Sequence, residues 1–114
     1  KRKQAVTVKA LSVDPVPTGV QGFPTYVDSY VLAAGVARRA TIPAGYRFVD
    51  FQTDLDFYAK PGDNTVTAVV AVGDVTDGTA SEFNPKWRSV GGGFTHISII
   101  SASNGVVTLA WHGA

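Results

Sequence analysis

The sequence predicts an all-β protein: an antiparallel β-sandwich or jelly roll of about eight short strands, preceded by an extended N-terminal arm. Three observations carry that expectation. Of the 114 residues, 32 are β-branched (17 Val, 11 Thr, 4 Ile), whereas Leu occurs four times and Glu once. β-Branched side chains suit a pleated strand and crowd a helix. Twelve Gly and six Pro divide the chain into short segments, as the turns of sandwiches and barrels do. Apolar and polar residues alternate with period two, most clearly from 49 to 60, the mark of strands with one buried face. A five- or six-stranded barrel is the alternative architecture.

The elements follow in order. Val6, Val8 and Ala10 alternate with Thr7 and Lys9 and read as a strand; the parity slips at Leu11 and Val13, as at a bulge or strand end. Residues 14–25 hold three prolines and two glycines, which excludes a helix or a central strand and leaves an extended connector. Residues 1–25 are therefore expected to be an arm, and residues 26–114 the sandwich domain. Residues 26–34 and 36–42 read as strands broken at Gly35, and Pro43-Ala44-Gly45 as a turn. Between 49 and 60, Val49, Phe51, Leu55, Phe57 and Ala59 share one parity and Asp50, Gln52, Asp54, Asp56 and Lys60 the other. Two strands with a bend near Thr53 fit typical strand lengths better than one long strand. Pro61-Gly62-Asp63-Asn64 reads as a turn, and residues 65–72, apolar on both faces, as a central strand. Residues 73–93 form a long loop. The last two strands, 94–101 and 106–112, are expected to make a hairpin closed by Ser103-Asn104-Gly105, with Gly105 left-handed. That register pairs Ile97 with Trp111 and Ile99 with Leu109, and sets His96 opposite His112.

The length suits one domain with a core that needs no staples. With no Cys, a disulfide scaffold and a thiolate zinc site are excluded. No apolar run approaches the ~20 residues of a membrane span. Lys1-Arg2-Lys3 leads into Gln4-Ala5-Val6, not into the apolar stretch of a signal peptide. The expectation is a soluble protein that does not engage a membrane. The net charge of +1 is unevenly placed: residues 1–9 carry +4 and the other 105 carry −3. The basic end is either a solvated terminus or a contact for nucleic acid or an acidic protein surface. The rest of the chain lacks the basic groove of a single-strand nucleic-acid binder, so no direct nucleic-acid contact is expected.

Constellations for catalysis are thin. Asp54 and Asp56 share a strand face and could pair for acid–base work, but that face is the wet one, where surface charges are ordinary. Asp74-Val75-Thr76-Asp77-Gly78 resembles the start of a calcium loop without the closing Glu, and reads better as an Asp-stabilised turn. The His96–His112 pair lacks a third metal ligand. No cofactor, metal or enzymatic activity is therefore expected. Phe83, Pro85, Trp87 and Val90 lie among Glu82, Asn84, Lys86 and Arg88. Aromatics beside Arg on a loop have the composition of an interface anchor, the alternative being a plug for one end of the core. The candidate interface residues are Lys1, Arg2, Lys3, Phe83, Trp87 and Arg88.

Several motifs carry a resemblance. Thr41-Ile42-Pro43-Ala44-Gly45, the aromatic strand into Asp56-Phe57-Tyr58, the run from Val72-Gly73-Asp74-Val75-Thr76-Asp77-Gly78-Thr79 to Asn84-Pro85, and the closing Thr95-His96-Ile97 and Val106-Val107-Thr108-Leu109-Ala110 form one pattern. Across about residues 30–113 it resembles the head decoration, or cement, proteins encoded beside the major capsid proteins of tailed bacteriophages. The resemblance implies a structural virion protein on the outer capsid surface, made in the host cytoplasm, that clamps neighbouring major capsid subunits. Its implied partners are the major capsid protein and itself, as a homodimer in preference to a trimer. A phage tail or fibre component, or a carbohydrate- or receptor-binding β module, is the alternative.

Overall fold

The computed structural model describes residues 22–113. The expected strand at 5–13, most of the connector, and Lys1, Arg2 and Lys3 lie outside them. Among the described residues eight strands run in order: β1 (Tyr26–Leu32), β2 (Arg38–Thr41), β3 (Phe48–Gln52), β4 (Tyr58–Gly62), β5 (Glu82–Phe83), β6 (Trp87–Ser89), β7 (His96–Ile100) and β8 (Gly105–His112). They form two antiparallel four-stranded sheets, a first of order β1-β8-β3-β6 and a second of order β2-β7-β4-β5. The first strand pairs with the last, the second with the seventh, the third with the sixth and the fourth with the fifth.

The period-two reading holds where the two sheets face each other. Val49, Phe51, Phe57 and Ala59 are buried, and Leu55 packs against their cluster. Chain parity persists through the bend at residues 53–57, although β3 and β4 join different sheets. Thr53 Oγ1 makes that corner, accepting from Leu55 N and donating to Val106 O. Trp111, fully buried, sits between Tyr26 and Val49 on the first sheet, and its indole Nε1 donates to Asp28 Oδ2 at 3.0 Å. The polar edge of the largest core side chain is thus satisfied. The turns at Gly35 and Gly45 form as expected, with φ of 75° and 84°, values an L side chain resists.

Four expectations fail. The terminal hairpin does not form: β7 pairs with β2 and β4, whereas β8 pairs with β1 and β3. Ile97, Ile99, Val107, Leu109 and Trp111 do share one buried layer, but as the inner faces of opposite sheets. The connection between the strands is tied to two other corners. Ser101 Oγ donates to Asp56 O, Gly35 N to Ser101 O, and Ala34 N to Asn104 Oδ1. Gly105 is not left-handed; the Leu55 side chain packs over it, its Cδ2 2.9 Å from where a Cβ would stand. β4 continues through Pro61 and Gly62 before the chain turns at Asp63-Asn64, and residues 73–93 are not all loop, since β5 and β6 lie within them.

The fourth failure is the central strand at 65–72, which joins neither sheet. Residues 63–81 instead form a flap across the outer face of the second sheet. One cross-strand row, Arg39–Ser98–Lys60, holds it down. Arg39 Nε donates to Val66 O at 2.7 Å, Ser98 Oγ accepts from Ala68 N at 2.8 Å, and Lys60 Nζ donates to Thr79 O at 2.7 Å. Ser98, on the outward face of its strand, is thereby buried with Ala68. The β-branched segment buries backbone against side-chain donors and acceptors instead of adding to a ladder. Each limb starts with an Asp-x-Thr turn, in which Asp63 Oδ1 accepts from Thr65 N and Oγ1, and Asp77 Oδ1 from Thr79 N and Oγ1. These hydrogen bonds hold both carboxyls below their ordinary pKa.

Candidate functional site

Residues 82–89 form the two edge strands on one side of the sandwich, β5 on the second sheet and β6 on the first, joined by Asn84-Pro85-Lys86. The link is pinned at both ends. Asn84, at a φ of 50°, donates its N–H to Phe57 O, accepts Phe57 N on Oδ1 at 2.8 Å, and donates Nδ2 to Asp56 Oδ1 at 2.9 Å. Asn is one of the few residues that tolerates that conformation. Lys86 exchanges backbone and side-chain bonds with Phe51: Phe51 N donates to Lys86 O, and Lys86 Nζ to Phe51 O. Lys86 Nζ also stands 3.3 Å from Asp50 Oδ1, and Asp50 Oδ2 accepts from Gln52 Nε2.

Register decides where each side chain points. Glu82 lies opposite the buried Ala59, and Arg88 opposite the buried Val49, so both turn towards the gap between the sheets. There they meet. Arg88 Nε donates to both carboxylate oxygens of Glu82 at 3.1 Å, Nη2 donates to Oε2, and Nη1 to Trp87 O. The pair covers a core opening of about 100 Å³ lined by Val49, Phe51, Ala59, Val90 and Ile97. Its hydrogen bonding holds Glu82 below the ordinary carboxylate pKa and raises Arg88. Both groups are half exposed, so the net stabilisation is about 0–1 kcal/mol.

Phe83 and Trp87 take the opposite parity and flank this pair on the two outer faces. Phe83, 53% exposed, leans on Tyr58 with ring centroids 5.0 Å apart. Trp87, 41% exposed, stacks on Phe48 at 5.6 Å with an interplanar angle of 11°, and meets the His112 ring edge-on at 5.2 Å. The segment's composition fits either an anchor or a plug, and the structure divides it by residue. Pro85 and Val90 are buried and close the core, whereas Phe83 and Trp87 stay outside. Their placement on strands, not in a loop, makes them a rigid feature.

The remaining sequence candidates do not gather. His96 pairs with Thr41 and Gly62 in the second sheet, and His112 with Phe48 in the first, so the expected His–His pair does not exist. His96 Nδ1 is 2.8 Å from Thr95 Oγ1. Asp56 orients Asn84, and Asp77 closes its turn. Among the described residues, no three His, Cys, Asp or Glu side chains stand close enough to hold a metal ion, and no helix is long and apolar enough to cross a membrane. Two exposed apolar groups escaped the sequence reading. Val27, Val31 and Val106 lie on the outer face of the first sheet, and Val69, Val72 and Val75 on the flap. The signal for the second was present in the apolar run at 65–72, read there as burial. No family model, no curated protein and no solved structure matches this chain.

Proposed function

We propose that this chain is a structural, non-enzymatic virion component: a decoration protein that binds the outer surface of a tailed-phage capsid and braces neighbouring major capsid subunits. The observation that carries the reading is the aromatic edge. Phe83 and Trp87 are held half exposed on paired strands, one on each outer face, with Arg88 between them locked by Glu82. Rigid aromatics beside Arg lose little entropy on binding and supply most of the energy where they enter a partner's pocket. The motif resemblance across residues 30–113 supplies the partner, the major capsid protein. The finer fold reading is a jelly roll, supported by the nested pairing of first with last strand through fourth with fifth, the arrangement produced when one long hairpin is wound into two Greek keys. Self-association as a two-fold dimer, in preference to a trimer, and an arm at residues 1–25 complete the proposal.

Adding purified chain to empty expanded capsids and imaging them by cryo-EM tests it. Extra exterior density sized for this chain is the expected result, and its loss with a Phe83→Ala/Trp87→Ala chain would place the contact on the edge. Bare capsids at saturating protein would overturn the proposal. A second reading, a glycan-binding module of a tail or fibre, draws on the Lys86–Asp50–Gln52 chain beside Trp87, where a stacked sugar ring would meet a donor and acceptors. Glycan-array binding by the isolated chain, abolished by Asp50→Ala, would favour it.

A further inference from the structure

Residues 65–75 have the composition of a buried strand and no strand partner. Val69, Val72 and Val75 point to solvent, Val72 being 96% exposed. With Ala71 and with Ala80 of the returning limb they line a groove of about 420 Å³. Valines this exposed and this close together mark a surface that something covers. The groove itself is lined by one acid, Asp74, and the flap, residues 63–81, contains Asp63, Asp74 and Asp77 and no Lys or Arg. Arg39 and Lys60 reach the flap from the sheet beneath, donating to Val66 O and Thr79 O, and their two charges leave the flap and its anchors with a net −1.

One segment of this same chain has the complementary chemistry. Residues 1–13 carry Lys1, Arg2, Lys3 and Lys9, no acid, and the apolar series Val6, Val8, Ala10. We propose that the valine groove of the flap takes residues 1–13 of a second copy of this chain. The choice of a second copy follows from where the described chain begins. Gly22, Phe23 and Pro24 lie with Asp50, Gln52 and His112 on the outer face of the first sheet, whereas the flap covers the outer face of the second. The two surfaces are on opposite sides of the sandwich, so a neighbour's segment reaches the groove without rounding its own body. Made reciprocally, such a contact closes a two-fold dimer by exchange of arms; its charge pairing makes it sensitive to salt. It rests on the arm and the self-association of the proposed function, and its test needs no capsid.

The absence of Cys from the whole sequence makes single-Cys chains specific reporters. A Val8→Cys chain mixed with a Val72→Cys chain and a short bismaleimide should yield mixed dimer at about tenfold the level of Val8→Cys with Val31→Cys, Val31 being exposed on the first sheet. The excess should vanish at about 1 M salt and in a flap carrying Asp74→Lys. It should return when that flap meets an arm carrying Lys1→Glu/Arg2→Glu/Lys3→Glu. Equal yields at positions 72 and 31 would overturn the proposal. So would a cross-link formed within a Val8→Cys/Val72→Cys chain but not between chains. Should Val72→Cys fail to melt like the parent, Val75→Cys in the same groove takes its place.

Discussion

Replacing Trp87 by Ala separates the proposed binding role from a folding role, because the structure sets the size of the folding cost. A Trp side chain offers at most ~250 Å², and at 41% exposure about 150 Å² of it is covered, with the Phe48 and His112 rings against it. At ~25 cal/mol/Å² that is roughly 3.5 kcal/mol. The figure is an upper bound, since a denatured chain already hides part of this surface, and the Cβ remains. The expected cost to folding of Trp87→Ala is therefore about 2 kcal/mol, or a melting point lowered by roughly 10 °C. Trp111→Ala, at a site with no exposure, should cost about 3–5 kcal/mol. Urea unfolding of the isolated chains, followed by the fluorescence of the Trp that remains, gives both numbers. Binding to expanded capsids, measured at a temperature where each variant is folded, should weaken for Trp87→Ala by about 2 kcal/mol or more, some thirtyfold in Kd. A Trp87→Ala chain destabilised as severely as Trp111→Ala would show that the residue belongs to the core. A chain that binds capsids as the parent does would remove Trp87 from the interface.

Three further outcomes are expected. Asn84→Ala removes the acceptor for Phe57 N and leaves a φ of 50° on a residue less suited to it; a loss of about 1–3 kcal/mol in urea unfolding is expected. Ser98→Val strands the buried N–H of Ala68, costing about 1–3 kcal/mol; hydrogen exchange should speed up at Ala68 with the core strands still protected, and uniform loss of protection would refute a separately anchored flap. Asp63, Asp77 and Glu82 all have folded pKa values below the ordinary ones. Their contribution is therefore complete above the unfolded values and lost as pH falls through the folded ones, so the urea midpoint should be level near neutrality and decline below about pH 4, less steeply in Asp63→Asn/Asp77→Asn.

How much of this was legible beforehand depends on the range of the interaction. Period two from 49 to 60, the break near Thr53, and the turns at Gly35 and Gly45 are local properties. Side-chain alternation and permitted backbone angles determine them, so they can be read from neighbouring residues alone, as can the all-β class. Parity assigns a residue to a face but names no partner strand. Ile97 and Ile99 match Leu109 and Trp111 equally well as hairpin neighbours or as opposite walls of a core, because both bury the same atoms. Only the tertiary structure chose, through bonds that tie residues 101–104 to Ala34, Gly35 and Asp56. The same limit hid the flap. An apolar β-branched run signals a strand, yet whether it joins a ladder depends on what lies at the edges of the sheets and beneath it. Arg39, Ser98 and Lys60, far apart in sequence, form the row that holds it across the sheet face. The aromatic edge was visible as composition, but its division into buried Pro85 and Val90 and exposed Phe83 and Trp87 followed from strand register, which long-range pairing alone establishes.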